Sequence, residues 1–95
     1  MIKHVVMWKF REETEKKQDI FLNKLLALKD EIKEIKEIEV GKSIKENNDY
    51  DAILISKFET LEALKKYKED ERHVKVSNLC KEIRVDRTSI DINCD

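Results

Sequence analysis

Three side chains in this 95-residue sequence could carry out acid–base chemistry: His4, Tyr67 and His73. The chain has two histidines and two tyrosines, and the stretch YKEDERHVKV, residues 67–76, contains one of each. An imidazole titrates near neutral pH and can remove a proton from a carbon next to a carbonyl group, while a phenol can donate a hydrogen bond to the enolate oxygen that forms. If the fold brings these side chains together, they could form a site for a carbonyl compound.

The residues between Tyr67 and His73 decide whether the two side chains can face one cavity. On a continuous helix, a spacing of six residues places them on different faces. Asp70 is a favourable N-cap residue, so we expect a helix to begin after it, with His73 in the first turn. Each residue also has a structural interpretation. Tyr67 could be a core residue whose hydroxyl is bonded nearby, and the histidines could be bonded to the cap, to the strand or to solvent.

A strand must position His4, because apolar residues alternate from residue 2 to residue 10. One predicted face of this strand consists of Ile2, His4, Val6, Trp8 and Phe10. The other face has Val5 and Met7 at its centre and a lysine on each side. We therefore expect a helix to cover the first face and a partner molecule to cover the centre of the second.

A long amphipathic helix is predicted after Thr14, its candidate N-cap residue. Its apolar stripe consists of Phe21, Leu22, Leu25, Leu26, Leu28, Ile32 and Ile35. The change to an alternating pattern predicts a second strand that begins near Glu37. Gly41, the one glycine of the chain, is typical of a bulge or of a close approach between backbones, and residues 45–49 are the predicted hairpin connection.

The second half of the chain contains an inner strand, two short helices and a final strand. The run AILI within residues 50–58 predicts burial on both faces of the inner strand. Thr60 and Asp70 are the candidate N-caps of the helices, and the last strand is predicted over residues 87–94. The order βαββα(α)β predicts an α+β, ferredoxin-like fold with a four-stranded antiparallel sheet, formed by a single domain over residues 1–95. The uncovered sheet face predicts a homodimer in which two sheets pack together.

Composition limits the classes of partner and site. The 20 basic and 21 acidic side chains alternate and nearly cancel, which gives no support for binding to nucleic acid or to a membrane surface. Without a long apolar run or a signal-peptide pattern, we expect a cytoplasmic protein in which Cys80 and Cys94 stay reduced. A metal site formed by His4, His73 and Asp70 is an alternative, but no local ligand spacing indicates one, so no metal is expected.

The motifs, taken in order, resemble those of a known family. They are KHVVMWKF in the first strand, EVGKSI in the second, YDAILISKFETLEALKKY across the third strand and the next helix, and a histidine six residues after the last tyrosine. This combination covers nearly the whole chain and resembles the stress-responsive dimeric A/B barrel (Dabb) family. The resemblance implies a dimeric α+β barrel built from ferredoxin-like protomers.

The resemblance also implies roles for individual residues. The family includes a polyketide cyclase that works without metal or cofactor, and His73, Tyr67 and His4 match its general base, its assisting tyrosine and a first-strand histidine. The implied pocket between helices and sheet would be lined by Val6, Trp8, Phe21, Leu25 and Val76. Where family members commonly read HPxH, this chain reads DERH at residues 70–73.

Three hypotheses about function follow. The first is a small-molecule binding protein, or a cofactor-free enzyme acting on a carbonyl compound, which requires a cavity that Trp8 and Leu25 do not fill. Arg84 and Arg87 could add positive charge to the rim of that cavity and favour an anionic ligand, or they could be surface ion-pairing residues. The second hypothesis is a non-catalytic structural or stress-protective dimer. The third is a cofactor-independent oxygenase, which rests on analogy of fold alone.

Overall fold

The strands and helices follow the predicted order in a computed structural model that describes residues 1–94. The elements are β1 (Ile2–Phe10), α1 (Glu15–Glu31), β2 (Glu37–Lys42), β3 (Ala52–Phe58), α2 (Leu61–Glu69), α3 (Glu71–Ile83) and β4 (Arg84–Asn93). The sheet order is β2-β3-β1-β4, and every pair of neighbouring strands is antiparallel. This topology confirms the ferredoxin-like prediction. Residue 95 of the predicted domain lies outside the described residues.

β1 is a central strand, because it pairs with β3 on one side and with β4 on the other. Its residues alternate between buried and half-buried, as the sequence pattern predicted. The buried set is Ile2, His4, Val6, Trp8 and Phe10. The four apolar side chains of this set share one core with buried residues of α1, α2 and α3, so all three helices cover the same face of the sheet. No helix within residues 1–94 is long and apolar enough to cross a membrane.

α1 buries most of the predicted apolar stripe but ends earlier than that stripe. Ile32 adopts extended dihedral angles (φ −113°, ψ 108°) and ends the helix, so Ile35 also lies beyond it. Both isoleucines are nevertheless buried in the core. Leu26 is 38% exposed, so its predicted place in the buried stripe is wrong. It lies at the solvent edge of α1, where the stripe is narrower than the sequence suggested.

The two predicted threonine caps have different outcomes. Thr60 caps α2, because its side-chain oxygen accepts a hydrogen bond from the backbone N–H of Ala63 at 3.0 Å. Thr14 makes no such bond to α1, and its hydroxyl instead donates to the backbone carbonyl of Arg11 at 2.7 Å. Thr14 is the N-cap residue of α1 by position, as predicted, and its backbone carbonyl accepts from the N–H of Gln18 at 2.9 Å. The side-chain capping bond is absent because the hydroxyl is used in the preceding turn.

Gly41 does not form a bulge. β2 and β3 pair in regular register with Gly41 opposite Ile53, and a Cβ atom at Gly41 would meet the Ile53 side chain at an ordinary distance of 3.8 Å. The irregularity of the sheet lies instead between Lys9 and Phe10, where the β1–β4 register shifts. It adjoins the start of β4 at Arg84, three residues before the predicted start at position 87.

The break between α2 and α3 is built by Asp70, as predicted. Its carboxylate accepts a hydrogen bond from the backbone N–H of Arg72 at 2.9 Å and caps α3. The Arg72 guanidinium also bonds this carboxylate and the carbonyl of Glu31 at the end of α1. The hydrogen bonds from Arg72 lower the pKa of Asp70 to about 2. The cap therefore persists at mildly acidic pH, and the break lets Tyr67 and His73 contact each other.

The face of the sheet opposite the helices is apolar at its centre. In the strand register, Val5 lies between Ile55 and Ile90, and Met7 lies beside Ile53. The residues of β1 and β3 in this group are half-buried, while Ile90 of β4 is 62% exposed. In the single chain, the run AILI is therefore buried on the helix side only.

Candidate functional site

A small cavity lies between the helices and the β1, β3 and β4 strands. Its volume is about 40 Å³. All three predicted catalytic residues line it: His4 from β1, Tyr67 from α2 and His73 from α3. A water molecule occupies about 30 Å³ in the liquid, so the cavity holds a small functional group but no drug-sized molecule.

Tyr67 is fully buried at the centre of this site. Its ring lies 4.3 Å from the ring of His73 and 5.0 Å from that of Phe58, and it meets His4 edge-on at 6.5 Å, all measured between centroids. Within residues 1–94, its hydroxyl is the one buried side-chain polar group without a hydrogen-bond partner. Burial raises the pKa of Tyr67 well above its ordinary value of 10.0, so the hydroxyl stays protonated and can donate.

His4 is held by a carboxylate that the sequence did not identify. In the β1–β4 pair, His4 lies directly opposite Asp91, and its Nδ1 is 2.5 Å from an Asp91 carboxylate oxygen. Because a carboxylate can only accept, Nδ1 carries the hydrogen and Nε2 is left as the proton acceptor. Burial lowers the pKa of His4 below 6.5, although the bond to Asp91 opposes this shift. The imidazole is therefore neutral at pH 7 and can act as a base.

His73 lies in the first turn of α3 and is half-buried. Its Nδ1 is 3.2 Å from the backbone carbonyl oxygen of Lys68, so Nδ1 donates and Nε2 is again the acceptor. Burial lowers the pKa of His73, while the hydrogen bond to Lys68 opposes the shift. Among the described residues His73 has no carboxylate partner, which distinguishes it from His4.

The apolar part of the cavity wall contains four of the five predicted ligand-binding residues. Val6, Trp8, Phe21 and Leu25 line the cavity, and the rings of Trp8 and Phe21 meet edge-on at 5.1 Å. Val76 is buried in α3 but does not line the cavity. Trp8 and Leu25 are buried in the wall of the cavity and do not fill it.

Several residues of the site were not recognised in the sequence. Asp91 orients His4, and Ser77 and Cys80 line the cavity beside the predicted residues. The alternation of β4 does place Asp91 and Arg87 on one face, but only the register shows that this is the face of His4. Burial raises the pKa of Cys80 to about 11, so its thiol stays protonated at neutral pH.

The alternative metal site is not assembled. Residues 1–94 contain no group of three or more His, Cys, Asp or Glu side chains placed to hold a metal ion. Asp70, the third ligand of that alternative, is bonded to Arg72 instead.

Solved structures of the same fold cover almost the whole chain. A dimeric protein of unknown function from Bacteroides fragilis is 26% identical, with a TM-score of 0.84 over 98% of this chain and 95% of that chain. A protein from Arabidopsis thaliana is 23% identical, with a TM-score of 0.88 over 100% of this chain and 96% of that chain. Hydroxynitrile lyase from Passiflora edulis is 11% identical, with a TM-score of 0.87 over 99% of this chain and 93% of that chain.

No curated protein matches the sequence. At the low identities of the Arabidopsis and Passiflora structures, the likeness shows the fold alone. The family model described as the stress responsive A/B barrel domain, Dabb, matches residues 2–94. This match confirms the resemblance seen in the strand and helix motifs. The chain therefore belongs to the stress responsive A/B barrel domain (Dabb) family.

Proposed function

We propose that this protein binds a small carbonyl compound in the cavity and carries out acid–base chemistry on it. The observation that carries the proposal is the buried Tyr67 hydroxyl, which has no partner although two neutral imidazoles lie beside its ring. Leaving a buried donor without an acceptor destabilises a fold by about 1–3 kcal/mol, so such groups need an explanation. A ligand carbonyl oxygen would supply the missing acceptor.

The role of each group follows from its hydrogen bonds. The Tyr67 hydroxyl donates to the carbonyl oxygen and stabilises the negative charge that develops there as the enolate forms. Nε2 of His4 removes the proton from the neighbouring carbon, and Asp91 stabilises the imidazolium that results. His73 is the second candidate base, but a neutral carbonyl group bonds its Nδ1. The bond to Asp91 therefore favours His4 as the general base, whereas the family resemblance implied His73.

The likeness to hydroxynitrile lyase supports the capacity of this fold for related chemistry. A hydroxynitrile is the adduct of cyanide and a carbonyl compound, so its cleavage also involves proton transfer at a carbonyl oxygen. At 11% identity, this likeness says nothing about the substrate of the present chain.

We expect the protein to accelerate the exchange of α-protons for deuterium in small ketones such as acetone, as followed by proton NMR in D₂O. His4→Asn should lower the protein-dependent rate by about 10²–10⁴-fold, because it removes the base. Asp91→Asn should also lower the rate, because a neutral amide stabilises the imidazolium less and no longer fixes the hydrogen on Nδ1. Lys33→Gln is the matched control, since Lys33 is exposed and does not line the cavity.

The same measurement separates the candidate bases. A larger loss with His73→Asn than with His4→Asn would reassign the general base to His73. Failure of the wild-type protein to bind or exchange any of the small carbonyl compounds would contradict the proposal. The small cavity volume would then favour a non-catalytic structural or stress-protective dimer, and oxygen consumption with quinols would indicate the oxygenase alternative.

We further propose that the protein is a homodimer through the sheet face centred on Val5, Met7, Ile53, Ile55 and Ile90. In a single chain, adjacent apolar side chains from three strands of this face are partly or largely exposed to water. The related protein from Bacteroides fragilis is dimeric, which supports the same assembly here. Packing of two such faces would bury the second side of the inner strand β3.

Val5→Asp is expected to convert the homodimer to a monomer, because it places a carboxylate between Ile55 and Ile90 at the centre of the interface. Size-exclusion chromatography with light scattering at micromolar concentration measures the change. Leu61→Asp should leave the dimer intact, because Leu61 is 64% exposed on α2, on the helix side of the sheet. A dimeric Val5→Asp variant would show that the interface lies elsewhere.

A further inference from the structure

We propose that the ligand of this cavity is a small oxo acid whose carboxylate binds Arg84 and Arg87. This inference rests on the proposed function, since it adds a negatively charged group to the carbonyl compound that Tyr67 would bind. Its evidence is independent of Tyr67, because it comes from the position, the missing ion pairs and the charge of the two arginines.

Both arginines lie where the cavity and an open cleft share lining residues, and this shared part of the wall is called the mouth of the cavity. Arg84, Arg87 and Ser77 line the enclosed cavity and also line this cleft, whose volume is about 530 Å³. The other residues of the cleft are Lys81, Val85 and Asp86. A ligand can therefore place a carbonyl group in the cavity and keep a charged group in the cleft.

The guanidinium groups of both arginines have no carboxylate partner within residues 1–94, although Asp86 lines the same cleft. Among the described residues, neither Arg84 nor Arg87 forms a side-chain ion pair or hydrogen bond. Asp86 accepts from the backbone N–H of Arg87 and from a tyrosine hydroxyl, and Asp91 bonds His4. The guanidinium groups thus remain available to an external anion.

The charge of Arg87 also reaches the reactive groups. In the β1–β4 register Arg87 lies opposite Trp8, on the face of the sheet that carries His4. Burial is the main influence on the pKa values of His4 and His73, and the positive charge of Arg87 lowers both further. An anion at Arg87 would be close enough to offset this effect and to make the imidazoles stronger bases.

Arginine is well suited to hold a carboxylate at this place. Its planar guanidinium can donate two parallel hydrogen bonds to a carboxylate, and it stays charged at all physiological pH values. The small cavity limits the buried end of the ligand to a few atoms, which favours short acids such as 2-oxo or 4-oxo acids over bulky aromatic compounds.

The test compares two acids with their neutral esters: pyruvate with methyl pyruvate, and levulinate with methyl levulinate. Binding is measured by calorimetry or by chemical-shift titration at low ionic strength. We expect at least one acid to bind roughly tenfold more tightly than its ester. Arg87→Gln and Arg84→Gln should each remove most of this preference, and added salt should reduce it. Lys33→Gln should retain the preference.

The outcomes separate this inference from the function on which it rests. Equal binding of acid and ester would overturn the anionic ligand but leave the carbonyl-binding proposal standing. A preference for the acid that survives both arginine substitutions would overturn the assigned binding site. Binding of none of the four compounds would overturn both proposals for small oxo compounds. Circular dichroism of each variant excludes unfolding as the cause of a lost preference.

Discussion

Tyr67→Phe is expected to raise the free energy of unfolding by about 1–2 kcal/mol and, at the same time, to weaken binding of the carbonyl ligand. The substitution removes a buried hydroxyl that has no partner and keeps the ring contacts with Phe58 and His73. The destabilising donor disappears, but so does the group that would bind the carbonyl oxygen. The loss of exchange activity should be about 10²–10³-fold, as for removal of one donor to a developing oxyanion.

Urea unfolding at fixed protein concentration measures the stability, because the proposed dimer would unfold in a concentration-dependent way. For a domain of this size, a gain of 1 kcal/mol corresponds to a rise of about 4–8 °C in the melting temperature. Tyr50→Phe is the matched control, since the exposed Tyr50 hydroxyl makes only a long hydrogen bond, of 3.4 Å, to Asp86. The free energy of unfolding of this variant should differ from that of the wild type by less than about 0.5 kcal/mol.

The opposite result for Tyr67→Phe would be equally informative. A loss of stability greater than about 1 kcal/mol would mean that the hydroxyl has a partner in solution, such as a water molecule in the cavity. Unchanged ligand binding in a stabilised variant would remove Tyr67 from the proposed site while leaving the explanation of its burial intact.

Acidification from pH 7 to pH 5 is expected to destabilise the protein. The folded pKa values of His4 and His73 lie below the ordinary value of 6.5, chiefly because both rings are buried. Below pH 6.5 the unfolded chain therefore binds more protons than the folded one, so acid shifts the equilibrium toward unfolding. The contribution of the two histidines to the free energy of unfolding is fully present above pH 6.5, the ordinary pKa value. It falls as the pH decreases toward the folded pKa values, by at most about 1.4 kcal/mol per pH unit for each histidine.

Urea unfolding at several pH values between 5 and 7.5 tests this dependence. Aspartate and glutamate side chains ordinarily titrate near pH 3.9 and 4.3, so they contribute little in this range. The cap at Asp70 is also unaffected, because its pKa is about 2. His73→Asn should flatten part of the dependence, and the double variant with His4→Asn should flatten most of it. A wild-type protein that becomes more stable between pH 7 and pH 5 would contradict the burial of neutral imidazoles.

Local sequence patterns were sufficient to predict the order of the elements. The alternation in β1 and the helical spacing in α1 are properties of neighbouring residues, so they could be read without knowledge of the fold. The break at Asp70 was predicted for the same reason, because an N-cap bonds the backbone of its own helix. The side-chain capping bond expected of Thr14 is absent because its hydroxyl bonds the preceding turn, and the bulge expected at Gly41 is absent because this residue pairs in regular register.

By itself the sequence determined the fold class and the set of His4, Tyr67 and His73 as candidates, because both depend on residue type and short-range spacing. Only the tertiary structure decided how these side chains meet. The β1–β4 register places Asp91 opposite His4, and the packing of three helices on the sheet leaves a cavity of about 40 Å³ beside the unpaired Tyr67 hydroxyl. Register and packing join residues that lie far apart in the chain, and no local pattern contains that information.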